Sequence, residues 1–566
     1  MDTPPPEGHA GRKTLLALSS LLMVLVVLLC LLPRPENDLF FELRTGADVL
    51  RTHHLPRSDT YSWVNQGRRW DVPEWLAFVC YALAFRAGGF FGTWALMALL
   101  ALAAVGIVWV RLVRRLGAAW AFAPAFLMLL ALRDCLQERP YAFTYVLLPV
   151  SLILVGRGRG GHPRALSALV PLCALWTNLH QGVVVLLGIL AVYVLADALM
   201  SAWAWVRDSR AAPLDLLQPG WEEEAQRREE RRKAGTEWRR HRAQAARMAG
   251  TALACTGAAM ISPYGWRVFW NVWTTVHDPT LMSSVTEWNS AFTLPLVQLQ
   301  PFLLVAALAF GSLAASPRRS LADALVLAVL FWQALLHARS IPLFALAATV
   351  ICTPYFAYCV RALGRQGLFA SRSAVRVPLL AGFALACAAA VALVSLTALR
   401  KNIGPLGYRP EGIGQAVARV PTYPAAACTF VEAEGFPPRL RLLNNFEIGG
   451  FLLWRLPQEP VFIDGRLDVY VGRTFDDMLL LSRGRAAPGW AALVRHYDFD
   501  CVLTTSTREA SAFEADAGWC LVYSDPLDAR RPRCRILLRR RPRFAALIAR
   551  CLRAHCLRAP PAPPVP

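Results

Sequence analysis

The chain has 566 residues, of which 55% are hydrophobic and only 17% are charged, and its mean hydropathy is +0.37. Soluble domains carry about 25% charged residues, so this composition excludes an ordinary soluble enzyme and indicates a membrane protein. The net charge of +21 comes from short basic clusters between apolar runs, which is the pattern of cytoplasmic loops and not of a nucleic-acid-binding groove. Nucleic acid is therefore not predicted as a partner.

The apolar runs predict about eleven membrane-spanning helices, because a helix of about 20 apolar residues is needed to cross a bilayer. Residues 75–85 are apolar but too few to cross, so they are predicted to lie along the membrane surface. Arginine clusters follow alternate spans, which places the N-terminus in the cytoplasm under the positive-inside rule. The predicted spans are 15–32, 91–110, 118–132, 141–155, 166–177, 183–205, 248–261, 300–315, 321–336, 341–360 and 378–399.

This topology predicts a mainly α membrane protein with a C-terminal soluble α/β domain. Residues 1–400 form the polytopic part, with an outer loop at 34–75 and a basic cytoplasmic loop at 207–247. Residues 401–543 lie outside the cytoplasm, and their alternation of helices and strands indicates a small α/β domain. Residues 544–566 form a basic and Pro-rich tail. Strands are predicted at 439–443, 460–463, 499–504, 519–523 and 534–538.

The cysteines and the short motifs exclude several enzyme classes. About half of the 14 cysteines lie in apolar segments, and none has the spacing of zinc ligands. Cys501, Cys520 and Cys534 could pair in part in an oxidising compartment. The chain has no Walker A, GxSxG or HExxH motif, and its one match to GxGxxG, at 156–161, lies in a basic inner loop. Soluble nucleotide-binding, hydrolase and protease functions are therefore excluded.

The outer loop after the first span is rich in acidic residues, although the chain as a whole is basic. Carboxylates beside aromatic residues at a membrane surface are costly to place, so they indicate a functional site. The carboxylates of this region are Glu36, Asp38, Glu42, Asp48, Asp59, Asp71 and Glu74.

Three segments of this loop carry a family resemblance: Asp38-Leu-Phe-Phe-Glu-Leu-Arg-Thr-Gly46, Pro56-Arg-Ser-Asp59 and Trp70-Asp-Val-Pro-Glu-Trp75. The layout resembles polytopic glycosyltransferases of the GT-C superfamily, particularly the protein O-mannosyltransferase and aminoarabinose-transferase branch. It is most similar to uncharacterised bacterial GT-C-like membrane proteins with the pattern Asp-Leu-Trp-Trp-His-Leu-x-Thr-Gly, in which Phe40, Phe41 and Glu42 here replace Trp-Trp-His. The resemblance implies a GT-C-like arrangement of helices and an essential carboxylate at Asp38.

Asp38 is the predicted catalytic base, and elementary chemistry supports this role apart from the resemblance. Transfer of a glycosyl group from a polyprenyl phosphate needs a base that takes the proton of the acceptor. It also needs positive charge to stabilise the departing phosphate. Arg139, Arg267 and Arg339 lie at outer ends of spans, and Arg139 and Arg339 are the predicted partners of the donor phosphate. The alternative role for Asp38 is a helix cap, which does not exclude catalysis.

Three more carboxylates of the loop are candidate substrate-binding residues. Glu42 occupies the position of the histidine in the related pattern. Asp71 and Glu74 precede the predicted surface helix and could bind the acceptor or a divalent cation through their oxygen atoms. The alternative for Asp71 and Glu74 is a structural role, since acidic residues favour the N-terminus of a helix through its dipole.

His180 and Tyr264 are candidates from later outer segments. His180 lies at an outer turn, where it could act as an acid, a base or a donor to phosphate, although a lone histidine in a turn is more often structural. Tyr264, Glu287 and Trp288 are predicted acceptor contacts in the long outer loop. The tryptophans of the same loop could instead form an interfacial aromatic belt; they are Trp266, Trp270, Trp273 and Trp288.

In the C-terminal part of the chain, residues 401–566, called the tail from here on, Asn444-Asn445 and Gly449-Gly450 are followed by a predicted strand that ends in Asp464-Gly465-Arg466. Polar groups at the carboxyl edge of a sheet often bind ligands in α/β domains, so Asp464 and Arg466 are candidate substrate-binding residues. The alternative is a loop turn held by pairing of Asp464 with Arg466. Similar segments recur in the bacterial GT-C-like set, and this resemblance implies a shared role.

The resulting hypothesis is a membrane glycosyltransferase that moves a sugar from a polyprenyl-phosphate donor to an extracytoplasmic glycan, lipid or protein acceptor. No cofactor is predicted, with a divalent cation left open. The Ala, Arg, Leu and Pro bias is typical of a GC-rich bacterial genome, so the predicted location is a bacterial inner membrane. The alternatives are a transporter or flippase for a lipid-linked saccharide and a non-catalytic envelope assembly protein.

Overall fold

The structure, a computed structural model, describes residues 9–31, 37–210, 221–279, 282, 286–365, 423–470, 472–525 and 533–558. The predicted span at 378–399 and the predicted start of the α/β domain at residue 401 lie outside these residues. The end of the predicted Pro-rich tail, 559–566, also lies outside them.

Helices dominate the first part of the described chain. Short 3-10 turns lie at Arg133–Cys135, Thr286–Trp288, Ala291–Thr293 and Ala338–Ser340. The α-helices are α1 His9–Cys30, α2 Asn37–Thr52, α3 Trp75–Leu116, α4 Ala118–Leu132, α5 Tyr141–Arg159, α6 Arg164–Ser167, α7 Leu169–Leu179, α8 Val183–Arg210, α9 Trp221–Ala259, α10 Arg267–Val276, α11 Leu296–Ala315, α12 Leu321–Leu336 and α13 Ile341–Arg365.

Seven helices in the described residues are long and apolar enough to cross a membrane, so the chain is an integral membrane protein. Two other predicted spans, 166–177 and 321–336, correspond to the shorter helices α7 and α12, and 248–261 overlaps the end of α9. The seven helices are Arg12–Cys30, Trp75–Leu116, Ala118–Cys135, Tyr141–Arg159, Val183–Arg207, Leu296–Ala315 and Ala338–Gly364.

Helix α3 is broken near its first third by two glycines. Gly88 and Gly89 leave helical geometry, and Gly89 has a φ of 58°, a conformation that glycine adopts at little cost. The chain folds back closely here, because a Cβ on Gly92 would lie 1.9 Å from the carbonyl oxygen of Ala84. The break agrees with the predicted surface helix at 75–85 followed by a span.

The tail contains a four-stranded sheet in the order β1-β2-β4-β3. Strands β1 and β2 are parallel, and β4 pairs antiparallel with both β2 and β3. The strands are β1 Leu442–Asn444, β2 Cys501–Thr504, β3 Trp519–Ser524 and β4 Arg535–Arg539; the helices are α14 Ala425–Ala433, α15 Phe446–Arg455, α16 Leu467–Tyr470, α17 Arg473–Ser482, α18 Trp490–Tyr497, α19 Thr507–Glu514 and α20 Ala545–Arg558.

Four of the five predicted strands are present with shifted ends, and the fifth, at 460–463, is wrong. This segment forms a single bridge between Val461 and Ser62 of the outer loop. The amide of Val461 donates to the carbonyl of Tyr61 at 3.0 Å, and the amide of Trp63 donates to the carbonyl of Val461 at 3.2 Å. Residues 460–463 therefore form their backbone hydrogen bonds with the outer loop, and not with the sheet of the tail as predicted.

The outer loop and the tail share one apolar core, separate from the core between the membrane helices. Phe40 of α2 is fully buried and contacts the rings of Phe90, Tyr423, Phe451 and Trp454, with centroid distances of 4.8 to 5.9 Å. Burial of such an aromatic side chain stabilises the contact by roughly 2 kcal/mol. The tail is therefore anchored on α2, the helix whose first turn contains the candidate catalytic residue.

The tail's cysteines are free thiols: Cys501, Cys520 and Cys534 are buried and unpaired in the structure. The first part of the predicted basic tail forms α20, whose Cys551 is also buried.

Candidate functional site

Asp38 lies in the first turn of α2 and forms an ion pair with Arg139, which precedes α5. Arg139 also pairs with Glu287 at 3.0 Å, so one guanidinium joins two outer segments to α2. The side chains of Asp38 and Arg139 are only 22% and 18% exposed. Burial raises the pKa of the Asp38 carboxyl, and the guanidinium of Arg139 opposes this rise. The carboxyl is therefore a stronger proton acceptor than a fully solvated aspartate.

The tail covers Asp38 through closely packed glycines. A Cβ on Gly465 would lie 2.1 Å from Oδ1 of Asp38, and a Cβ on Gly450 would lie 2.5 Å from the carbonyl oxygen of Asn37. The amide Nδ2 of Asn37 donates to the carbonyl of Phe446 at 3.1 Å. The glycines of the Gly-Gly and Asp-Gly-Arg motifs are thus explained by close approach of the tail to the start of α2.

Arg339 stacks on the ring of Trp288 at 4.3 Å and is half-buried. Nδ1 of His337 is 2.9 Å from the carbonyl of Trp288, and the amide of Ala338 donates to the carbonyl of Asn289 at 2.9 Å. These bonds hold the two outer segments together and fix the stacking partner. Among the residues that the structure describes, Arg339 has no carboxylate within ion-pair distance, so its charge is available to a ligand.

Glu74 is a second carboxyl group of this region, and His180 is its close partner. Oε1 of Glu74 lies 3.5 Å from Nε2 of His180 and accepts a hydrogen bond from the amide of Gln181 at 3.2 Å. Burial raises the pKa of Glu74 to about 7, although the Gln181 amide and the Arg339 guanidinium oppose the rise. Burial lowers the pKa of His180 to about 3, and Arg339 adds to this effect. His180 is therefore neutral at physiological pH.

The tautomer of His180 follows from its hydrogen bonds. The amide of Gly182 donates to Nδ1 at 2.9 Å, so Nδ1 carries no proton. The hydroxyl of Thr144 lies 2.8 Å from Nδ1 and itself accepts from Nε1 of Trp176 at 2.9 Å, so it donates to Nδ1 as well. The proton of the neutral ring is consequently on Nε2, which faces Glu74. Gly182 is required here, because a Cβ would lie 2.6 Å from Nδ1.

These groups belong to one outer cluster, defined here as Asp38, Glu74, Arg139, His180, Glu287 and Arg339. Both Arg139 and Arg339 act on the pKa of Glu74, and Asp468 of the tail faces it as well. Trp288 follows Glu287 directly, so the Arg339 stack adjoins the Asp38–Arg139–Glu287 chain of ion pairs. The sequence brings candidate residues from five separate segments to this cluster.

Three of the candidate residues are not members of the outer cluster as defined above. Glu42, one turn after Asp38, is buried with 3% exposure. Asp71 is buried and pairs with Arg267 and, at 3.2 Å, with Arg69. The hydroxyl of Tyr264 donates to the carbonyl of Pro56 at 3.1 Å. Asp71 and Tyr264 therefore join the outer loop to the segment that leads into α10.

Asp464 and Arg466 are enclosed beneath the Gly465 turn. Arg466 is 2% exposed and donates to Asp464 at 2.6 and 2.8 Å and to Asp59 of the outer loop at 2.7 Å. The hydroxyl of Tyr470 also donates to Asp464 at 2.7 Å. These contacts lock the tail to the outer loop, and Gly465 of the motif packs against Asp38.

Sequence reasoning missed the supporting residues of the outer cluster. Glu287 and Trp288 were predicted only as acceptor contacts. Their roles as the second partner of Arg139 and as the platform for Arg339 were not predicted. Thr144 lies inside a predicted span and gave no signal. Within the described ranges, no three His, Cys, Asp or Glu side chains are grouped so that they could hold a metal ion.

No family model and no curated protein matches the chain. Among solved structures it is similar to the crystal structure of ArnT from Cupriavidus metallidurans bound to undecaprenyl phosphate, with 13% sequence identity and a TM-score of 0.46. The match covers 92% of this chain and 97% of that chain.

Proposed function

We propose that the protein is a membrane glycosyltransferase that moves a sugar from a polyprenyl-phosphate donor to an acceptor on the outer face of the bilayer. The observation that carries this proposal is the uncompensated guanidinium of Arg339, held on Trp288 beside the Asp38–Arg139 ion pair. A cation without a carboxylate partner in the described residues is suited to bind an anionic group such as a phosphate. An adjacent carboxylate supplies the base that group transfer needs.

Asp38 is the proposed base. Its raised pKa favours uptake of a proton from an acceptor hydroxyl as the oxygen attacks the anomeric carbon of the donor sugar. Arg139 and Glu287 orient the carboxylate, which limits the conformations that it samples. The bond between the sugar and the phosphate breaks in the same step, and the polyprenyl phosphate leaves.

The two arginines differ in what they offer to the departing phosphate. Arg339 offers a full charge before reaction starts, since no ion pair neutralises it in the described part of the chain. The charge of Arg139 is balanced by Asp38 and Glu287 until Asp38 takes up the proton. From then on Arg139 has one carboxylate fewer and can stabilise the developing negative charge. Proton transfer and charge stabilisation are thereby coupled through one guanidinium.

The remaining assignments of this proposal follow from the topology. The predicted topology puts the outer cluster on the side opposite the basic loops, and on this basis we propose that sugar transfer takes place outside the cytoplasm, in a bacterial inner membrane. The tail covers the start of α2, and we propose that it helps to hold the acceptor glycan, lipid or protein.

The test combines lipid profiling with a matched pair of variants. Cells that lack the protein are expected to accumulate one polyprenyl-phosphate sugar, and the wild-type gene is expected to restore its consumption. Asp38→Asn should reduce transfer by at least about 100-fold with unaltered folding, because a general base contributes 10²–10⁴-fold. Asp134→Asn is the control, since Asp134 is 53% exposed and pairs only with its neighbour Arg133 in the described structure.

Two results would overturn the proposal. One is an unchanged profile of polyprenyl-phosphate sugars in cells without the protein. The other is full transfer by Asp38→Asn, which would rule out Asp38 as the base.

A further inference from the structure

Glu74 and His180 take no part in the transfer step described above, although they lie in the outer cluster and are chemically distinctive. The Nε2 proton of His180 faces Oε1 of Glu74 at 3.5 Å, which is long for a hydrogen bond. Both groups are within reach of the charge of Arg339, as its effects on their pKa values show. A neutral donor and a carboxyl group that titrates near neutrality therefore face each other, and the charge of Arg339 acts on both.

An apolar groove of about 550 Å³ starts beside this pair at the outer end of the membrane helices. Its walls include Trp75, which directly follows Glu74, and Leu175 and Ile261, which are 46% and 65% exposed. Nε1 of Trp75 donates to Oδ1 of Asn178 at 2.8 Å, and Asn178 lies two residues before His180. A polar region that continues into an apolar groove fits an amphiphile with an anionic head and a hydrocarbon chain.

We propose that Glu74, His180 and Arg339 form a proton-linked subsite for the phosphate of a prenyl phosphate ester, whose chain lies in the groove beside Trp75. This inference rests on the proposed function and adds the role of Glu74. Arg339 and Nε2–H of His180 donate to the phosphate oxygens, and Glu74 binds a proton when the phosphate is present. An ionised Glu74 would repel the anion, whereas the protonated carboxyl can donate a hydrogen bond to it.

The charged groups around Glu74 agree with this assignment. It is faced by Arg339 from the Ala338–Ser340 turn, by Arg139 from the turn before α5, by His180 from the turn before α8 and by Asp468 from the tail. The two arginines favour the ionised carboxylate, and burial and Asp468 favour the protonated form. A bound anion adds one more negative charge, which shifts the balance to the protonated form.

The test uses a ligand whose own charge does not change with pH. Farnesyl methyl phosphate is a phosphodiester with one fixed negative charge, and its binding to the full-length protein in detergent is measured by calorimetry between pH 6 and pH 8.5. Binding is expected to weaken at least about fivefold over this range, because a carboxylate near the anion becomes ionised. Above pH 7, binding measured in buffers of different ionisation enthalpy should show uptake of up to one proton.

Three variants and one truncated ligand test which groups cause the binding and its pH dependence. Glu74→Gln resembles the protonated carboxyl in shape. At every pH it should bind the ligand as tightly as the wild type does at pH 6. Arg339→Gln should bind farnesyl methyl phosphate with roughly tenfold or more lower affinity at every pH. Asp516→Asn, an exposed acid of the tail, should behave as wild type. Dimethyl phosphate has the same head without the chain and should bind much more weakly than the farnesyl ester.

The outcomes separate this inference from the proposed function, since binding is measured without any sugar transfer. Binding that is independent of pH in the wild type, or pH dependence that survives in Glu74→Gln, overturns the proton linkage. Equal affinity for dimethyl phosphate and the farnesyl ester overturns the assignment of the groove. Proton-linked binding in a protein that transfers no sugar would contradict the proposed function and leave the subsite standing.

Discussion

Arg466 of the tail and Arg339 of the turn before α13 differ in their surroundings. Arg466 is 2% exposed, donates to the carboxylates of Asp464 and Asp59, and lies 4.5 Å from the ring of Trp70. Arg339 is half-buried, stacks on Trp288 and meets no carboxylate within ion-pair distance in the described residues. The first arginine is completely enclosed by its partners, and the second retains an open side.

The difference shows that the pairing of a charged group in this protein depends on how deeply the group is buried. A charge in a closed interior must be paired, because removal from water costs several kcal/mol for each ion. A half-exposed guanidinium keeps part of its hydration and can remain unpaired. The Arg466 group can therefore serve as a lock between the tail and the outer loop, whereas Arg339 is suited to exchange water for a ligand.

The largest effect is expected from removal of the buried cation. Arg466→Met leaves Asp464 and Asp59 without their partner and should destabilise the contact between tail and outer loop by about 3–5 kcal/mol. Limited proteolysis of the purified protein should then release the tail at much lower denaturant concentration. Arg473→Met is the control, because Arg473 is 75% exposed in its pair with Asp477 and such pairs contribute about 0–1 kcal/mol. Equal resistance of both variants would show that Arg466 is no lock.

A buried carboxyl group without a cationic partner also tests whether an enclosed charge in this protein must be paired. Glu509 of α19 is 2% exposed, accepts from the hydroxyl of Thr504, and has no ion-pair partner among the described residues. Burial raises the pKa of Glu509 to about 7 from an ordinary value near 4.5. The folded state thus binds the proton more tightly, and its stability is greatest below pH 4.5 and decreases as the pH rises to about 7.

Hydrogen exchange of the β2–α19 segment at pH 5 and pH 7.5 measures this effect. After correction for intrinsic exchange, the free energy of opening should be lower at pH 7.5 by up to about 3 kcal/mol. Glu509→Gln should remove the part of this difference that is due to Glu509 and leave the part due to Glu459, whose pKa burial also raises to about 7. Unchanged pH dependence in Glu509→Gln would exclude the assigned carboxyl.

The tight contact between the tail and the base can be broken at one atom. Gly465→Ala places a methyl group 2.1 Å from the present position of Oδ1 of Asp38 and must displace the turn or the carboxylate. Overpacking of this kind costs about 1–3 kcal/mol, and misplacement of the base should reduce sugar transfer about 100-fold. Gly106→Ala is the control, because an added Cβ there meets nothing within 4 Å. Wild-type transfer by Gly465→Ala would show that the turn does not position Asp38.

The smallest effect is expected from substitution of Trp288, the ring on which Arg339 stacks. Trp288→Leu removes a cation–π contact of about 1 kcal/mol, so binding of farnesyl methyl phosphate should weaken about fivefold as Arg339 becomes less ordered. Trp270→Leu is the matched control, since Trp270 is 48% exposed on α10. Identical affinities of the two variants would argue against Trp288 as the support of Arg339.

The sequence by itself determined the membrane character of the chain and the limits of several spans. Bilayer thickness sets the length of an apolar helix, so hydropathy alone identifies segments such as Tyr141–Arg159 and Val183–Arg207. The same length rule predicted a break before residue 91, because residues 75–85 are too few to cross a bilayer. The structure has Gly88 and Gly89 at this break. Asp38, Arg139 and Arg339 were candidates because charged groups at the ends of spans are expensive and few.

Only the tertiary structure decided which of the charged residues meet. Glu287 reaches Arg139 across 148 positions, and Arg466 reaches Asp59 across 407. Nothing local distinguishes Arg466, which is enclosed, from Arg339, which is open, because both stand in short polar turns after apolar runs. The strand expected at 460–463 failed for the same reason, since its hydrogen-bond partners lie in the outer loop. Pairing and burial depend on contacts between distant segments, and these arise only when the chain is folded.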